Sequence, residues 1–417
     1  MSTLPIASRT APIWPDRTLV PASERAGGWR PTPFRDVILK IHQHCNLACD
    51  YCYVYTMEDQ SWRDKPPRMQ RSTWLATAAR MAEHAATHQL TRMRLVLHGG
   101  EPLLAGPMRL AELISDFRSA FRGQCGLDIQ VQTNGVLLTK RMLDLFIDHG
   151  VGVGVSLDGT GSANDRRRRR PDGRGSSAAV DRALRLMATD QYEQLFAGLL
   201  CIVDPATDPI ECYEALISYR PPRMDLLLPH ANWESPPPHT RPDNRTPYAD
   251  WLLRIFDRWY DAPRRETVIR LFEDLMVLAL GGAGRSEQVG LSPVAVVVVE
   301  TDGSLEQVDS LKSAYAGACA TGLSVFADPF DAAFDHPGIV ARQLGAMALC
   351  DTCSTCQVSE ICGGGHYAHR YRHPDGFRNP SVYCDDMFKL VRHVRGRVLA
   401  DLQRTLTEKS SRCSTTG

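Results

Sequence analysis

Cys45, Cys49 and Cys52 stand at spacings of four and three in the segment CNLACDYC. Such a loop gathers three sulfurs at one point. That is one fewer than closes a structural zinc site or saturates an iron–sulfur cubane. A cluster on three thiolates keeps one iron open, and an open metal position binds a chelating ligand. The alternative is a zinc knuckle that borrows His42 or His44. A second group, Cys350, Cys353, Cys356, Cys362 and Cys384, has enough thiols to close a four-ligand centre of iron–sulfur or zinc type. The chain has thirteen cysteines, an odd number, and they cluster. With no basic and apolar export segment at the N-terminus, this favours metal ligation in a reducing compartment over a disulfide framework, so a cytoplasmic location is expected. Cys125, Cys201, Cys212 and Cys413 stand apart and read as ordinary thiols.

The 417 residues are 43% hydrophobic, and 48 Lys and Arg balance 48 Asp and Glu. Zero formal charge argues against a broad nucleic-acid surface. No apolar run is long enough to cross a membrane as a helix.

The elements that position these cysteines alternate. VILKI runs into the three-cysteine loop as a strand, and MRLVLHGGEP, DIQVQTNG, VGVGVSLDG, LFAGLLCIV and MDLLLP give five more. Helices fall between them, the first (STWLATAARMAEHAATHQL) with Ser72 or Thr73 near its cap and another closed by Gly150. Strands alternating with helices predict parallel βαβ units, hence an α/β fold with a partial, open (β/α)6 barrel of TIM type. Chemistry in such barrels sits at the C-terminal strand ends. The loops Cys45–Cys52, Gly99–Pro102, Thr133–Gly135 and Ser156–Gly159 all lie there and should converge. Residues 1–34 read as an irregular arm, 35–284 as the barrel with bridging helices, and 285–417 as a C-terminal domain. That domain opens with a hairpin turning at Asp302-Gly303 and ends in a helix over 385–406. The Pro-rich stretch 229–247 is a long loop at the barrel mouth, with His230, Asn232 and Trp233 as candidate substrate contacts.

CNLACDYC resembles the CxxxCxΦC signature of radical S-adenosylmethionine enzymes. The resemblance implies that Cys45, Cys49 and Cys52 hold a 4Fe–4S cluster whose open iron binds S-adenosylmethionine, with Tyr51 near the adenine. One electron then releases a 5′-deoxyadenosyl radical that abstracts hydrogen from substrate. By the same resemblance Gly99, Gly100 and Glu101 hold the methionine amino group. Thr133 and Asn134 lie near the ribose, and Ser156 reaches the ribose or the methionine end. An arginine of NDRRRRR meets the methionine carboxylate; the offset points to Arg168, with Arg166, Arg167 and Arg169 beside it. Asn164-Asp165 stands where the family has His-Asp.

The later cysteines are similar to a SPASM-like iron–sulfur domain. Cys353, Cys356, Cys362 and Cys384 fit one auxiliary 4Fe–4S cluster, and His366 replaces the cysteine expected at the next position. With only Cys319 upstream, a first auxiliary cluster is not expected, and Cys319 and Cys350 are left over. The stretch from ETDGSLEQVDSLKSAY to NPSVYC resembles the FxsB-type branch of radical SAM/SPASM peptide maturases. This implies a ribosomally made precursor peptide as substrate and an electron donor such as flavodoxin or ferredoxin. The product would be a three-residue cyclophane, with an aromatic ring joined to a β-carbon. Other outcomes of the same architecture are thioether formation, epimerisation and formylglycine formation; a non-catalytic zinc or iron–sulfur protein is the remaining alternative. His366 and Asp302 are candidate proton acceptors.

Overall fold

The computed structural model describes residues 12–123 and 125–414. The six expected strands are β1 (Asp36–His42), β2 (Arg92–Gly99), β3 (Gly126–Thr133), β4 (Val151–Ser156), β5 (Phe196–Ile202) and β6 (Arg223–Leu227). They pair in chain order, and every pairing is parallel. In β2 and β3 burial alternates along the strand, with Met93, Leu95 and Leu97 and then Leu127, Ile129 and Val131 buried and polar residues such as Arg94, Asp128 and Gln130 between them less so. Leu95, Leu97, Val151, Val153 and Val155 are fully buried. Helices such as Arg71–Thr87, Pro107–Ala120 and Lys140–His149 cover the outside. The fold is therefore an α/β parallel barrel, and it is open.

Three features go beyond the sequence reading. A seventh strand, β7 (Val268–Ile269), pairs with β6 just before the helix Arg270–Ala279 begins. The sheet also continues at its other edge, where β8 (Val296–Val299) pairs parallel with β1 and carries β9 (Ser304–Glu306) and β10 (Ala320–Ser324) antiparallel. The order is β10-β9-β8-β1-β2-β3-β4-β5-β6-β7. One sheet thus crosses residue 285. Third, the arm is more ordered than its composition suggests, among the residues described. It holds a short helix, Pro21–Ala26, and it buries Trp14, Leu19 and Trp29 with Tyr367, Tyr371 and Phe377 in a second apolar cluster.

Local signals behaved unevenly. Gly150 closes its helix in the left-handed conformation, and Gly303 takes a positive φ in the hairpin turn. The helix at 71 begins on Gln70 without a side-chain cap, which places Ser72 and Thr73 inside its first turn. The last helix spans Cys384–Ser414. No described helix is long and apolar enough to cross a membrane.

Candidate functional site

The first cysteine loop follows β1 directly and is held by backbone bonds to the arginine loop: Ala48 N–H donates to Arg169 O (2.7 Å) and Asp50 N–H to Arg167 O (3.4 Å). Cys45, Cys49 and Cys52 line one cavity of about 240 Å³ at the C-terminal ends of the strands. Tyr51, Gly99, Gly100, Thr133, Asn134, Ser156 and Arg168 line it too, so residues from four strand ends meet there. Gly100 is required by close approach, because a Cβ would collide with the Tyr55 hydroxyl and the His44 carbonyl.

Asn134 Nδ2 donates to Asn46 Oδ1 at 2.8 Å and reaches Cys45 Sγ at 3.6 Å, which ties β3 to the thiol loop. Ser156 Oγ accepts from Gln132 Nε2 (3.0 Å). Among the four arginines, Arg168 is the one that lines the cavity. Its Nη1 donates to the Tyr51 hydroxyl at 2.8 Å, and that hydroxyl donates to Asp158. Arg166 pairs with Asp204, Arg167 with Asp50, and Arg169 bonds Asp165 O. Asp165, in the departing Asn-Asp pair, accepts from Ser176 N, Ser177 N and Ser177 Oγ and so fixes the arginine loop.

Glu101 behaves differently from its neighbours. It is fully buried but does not line the cavity. Its carboxylate accepts from Thr133 Oγ1 (2.6 Å), Asn134 N (2.8 Å) and Leu103 N (3.0 Å), clasping the ends of β2 and β3. Asp158, within SLDG, does line the cavity, though the sequence reading passed over it. Asn232 and Trp233 face elsewhere. Asn232 Nδ2 bonds Ser313 O, and Trp233 Nε1 bonds Pro380 O, so both clasp the long loop to the C-terminal segment. His230 remains in the cavity. Asp302 pairs with Lys65 (2.9 Å) and accepts from Ser304 N in the hairpin, outside the lining of every cavity described here.

Burial dominates the electrostatics. It pushes the Cys45 thiol up to about 12 and the Cys49 thiol to about 11, the latter against the pull of Arg168; it also raises Cys52. Burial opposes the Arg168 charge, but Tyr51, Asp158 and Cys49 around it raise its pKa above the usual value. Three protonated thiols beside one buried cation suit a ligand set whose protons are displaced by iron, next to a carboxylate-binding guanidinium.

The second group also converges. Cys353, Cys356, Cys362 and Cys384 line a cavity of about 40 Å³. The Cys350 thiol lies against Cys353 but does not line that cavity. Between Cys362 and His366 three consecutive glycines take positive φ, and buried Arg370 donates to the carbonyls of Gly363, Gly364 and Gly365. A cation so fixed beside Cys353 and Cys362 fits an anionic thiolate centre. Cys319 sits apart and donates to Val308 O (3.3 Å) among Lys312, Glu306, Asp309 and Asp59. Nearby, Lys40 and Asp309 form a buried pair at 2.7 Å. Cys201 and Cys212 are buried with sulfurs 3.9 Å apart, and the Cys413 side chain lies outside those described.

The sequence description of the radical SAM superfamily matches residues 39–192, a stretch that runs from within β1 through β4 and includes the whole thiol loop. The barrel of this chain is similar to the radical SAM superfamily. The chain is 27% identical to a serine-type anaerobic sulfatase-maturating enzyme of Klebsiella aerogenes, over 81% of each chain. It is 25% identical to a cysteine-type anaerobic sulfatase-maturating enzyme of Clostridium novyi, over 66% of this chain and 72% of that one. Its fold superposes on native anSMEcpe with bound AdoMet at a TM-score of 0.73 and 19% identity, covering 89% of this chain and 99% of the other. Streptococcus suis SuiB bound to precursor peptide SuiA gives a TM-score of 0.55 at 13% identity, covering 86% and 77%. The chain is an enzyme, and its cofactors are a radical-generating 4Fe–4S cluster, S-adenosylmethionine and auxiliary iron–sulfur.

Proposed function

We propose that this enzyme oxidises a ribosomally made precursor peptide, joining an aromatic ring to a β-carbon in a three-residue cyclophane. The observation that carries the reading is the continuity of its cavities. The thiol cavity shares Tyr51, Asp158, Ile202, Pro229 and His230 with a mouth of about 270 Å³ under the Pro-rich loop, walled by Pro236, Pro238 and Tyr248. An apolar mouth of that size over the radical site suits a bulky peptide side chain.

In this reading residues 35–284 form the radical-generating barrel and 285–417 carry the auxiliary cluster, with 1–34 as an arm whose Trp14, Leu19 and Trp29 pack against the C-terminal segment. Cys45, Cys49 and Cys52 hold the first cluster. Gly99 and Gly100 let the cosubstrate approach the backbone, Thr133, Asn134 and Ser156 line its ribose side, and Arg168 with Tyr51 orients its carboxylate. Glu101 supports that wall from behind. Cys353, Cys356, Cys362 and Cys384 hold the auxiliary cluster. When bound, these groups supply one-electron cleavage of S-adenosylmethionine and a path for the electron that substrate oxidation releases. The chain's own contribution is placement of one C–H bond and exclusion of water. A flavodoxin or ferredoxin serves as donor.

The sulfatase-maturating relatives support a second reading, oxidation of a serine or cysteine to formylglycine. The test is to incubate the anaerobically reconstituted enzyme with a short peptide encoded beside it and with a sulfatase-derived peptide. Loss of two hydrogens from the encoded peptide, with no reaction toward an aldehyde reagent, is the expected result. A hydrazine-reactive product on the sulfatase peptide alone overturns the crosslinking reading.

A further inference from the structure

Three histidines far apart in the chain meet where the barrel faces the C-terminal segment. His230 follows β6, while His366 caps the short 3₁₀ turn Tyr367–Arg370 after the glycine run and His369 lies within it. Their candidate ligand atoms all lie within 4.8 Å of one another. Their ring centres are 5.6, 5.9 and 4.9 Å apart. Three imidazoles on one tetrahedral ion, each nitrogen about 2.0–2.1 Å from it, put their ring centres roughly 5 Å apart. The spacing is therefore close to that of a bound set.

Buried polar atoms ordinarily have partners. Here His230 Nδ1 and His369 Nε2 are buried without one, and His369 is only 4% exposed. His366 Nδ1 accepts a 3.3 Å bond from the Ala368 amide, at the weak end of the range, and ligation releases it. All three rings line a cavity of about 390 Å³ that also contains Asp309, whose Oδ1 is buried and unpartnered. Burial pushes His230 and His366 down to about 3 and His369 well below its usual value, so the rings are uncharged and their lone pairs are open.

We infer that His230, His366 and His369 form a binding site for one divalent first-row cation of the zinc class, with a coordination position left open to the cavity. Imidazole is the ligand such ions share, and three protein ligands plus an open position is the arrangement of catalytic rather than structural zinc. This cavity and the thiol cavity share Tyr53, His98, Leu227 and His230 in their linings, so an ion held here would lie beside the join between them. An oxygen ligand, water or a substrate carbonyl or carboxylate, is the class it would take. The inference does not depend on which bond the enzyme makes.

The test uses full-length enzyme with its cysteines occupied by anaerobic iron–sulfur reconstitution. Zinc chloride is added, excess is removed, and zinc and iron are quantified with X-ray absorption at the zinc edge. Wild type is expected to keep one zinc per chain with a nitrogen and oxygen shell at about 2.0 Å and no sulfur at about 2.3 Å. His369→Ala and His230→Gln are each expected to lower zinc affinity at least tenfold with iron content unchanged, which guards against misfolding. Equal zinc in wild type and a His230→Ala/His369→Ala variant overturns the site, as does a sulfur shell. Release of 5′-deoxyadenosine is followed in the same samples, so failure of the radical reading is seen separately.

Discussion

The two cysteine centres differ in what surrounds their thiols. The N-terminal three share a cavity of about 240 Å³ with groups from four strand ends. The C-terminal four close on about 40 Å³, with Arg370 holding the turn behind them. The first has room for a cosubstrate beside a cluster and the second has room for little else. Ligand count and free volume agree: an incomplete ligand set stands where space is left, and a complete set where it is not.

The largest expected effect removes the contrast at its open end. Cys45→Ala, Cys49→Ala or Cys52→Ala should abolish release of 5′-deoxyadenosine and leave roughly half the iron, read by chromatography and iron assay. Retained cleavage would remove these thiols from the radical site. Next, Arg168→Ala should weaken S-adenosylmethionine binding about 10- to 100-fold, the range for one charge-assisted contact, with Arg166→Ala near wild type by calorimetry. Equal losses in both would mean a general field and not a specific contact.

At the closed centre, Cys384→Ser should lower iron and product while uncoupled cosubstrate cleavage persists. Cys350→Ser should leave both unchanged, and a reversal of the two would exchange their roles. The smallest effect concerns Glu101. Glu101→Gln should cost about 1–3 kcal/mol of stability by denaturant melts, with little change in cosubstrate affinity. Burial raises the Glu101 pKa above 4.5, so the folded chain keeps a proton that the unfolded chain loses. Stability should therefore decline as pH rises from 4.5 through the folded-state pKa, and the Gln variant should lack that slope.

Much of this was legible in the sequence because periodicity and punctuation are local. The strands β1 to β6 announce themselves as short apolar or alternating segments, and the first four run into the cysteine and glycine motifs that meet at the cavity. What was not legible is pairing across distance. Val268–Ile269 is too short to show a period, and VVVV at 296–299 carries no mark that its neighbour is β1. Glu101 was read as facing the cofactor because its glycines do; a 3₁₀ turn at Pro102–Ala105 directs its carboxylate into the β2–β3 junction instead. Trp233 looked like a substrate contact from its place after a strand, but its indole finds Pro380. The histidine trio could not be seen at all, since His230 and His366 are brought together only by the tertiary fold.

The pairing of β8 with β1 also has a consequence for synthesis. β1 ends at His42 and its partner begins at Val296, some 250 residues later. At about 5–20 residues per second, that edge emerges from the ribosome roughly 10–50 seconds before its partner exists. During that interval the apolar strand that leads into the radical loop is an open template for other chains. A chain cut at residue 284 would hold that edge open permanently.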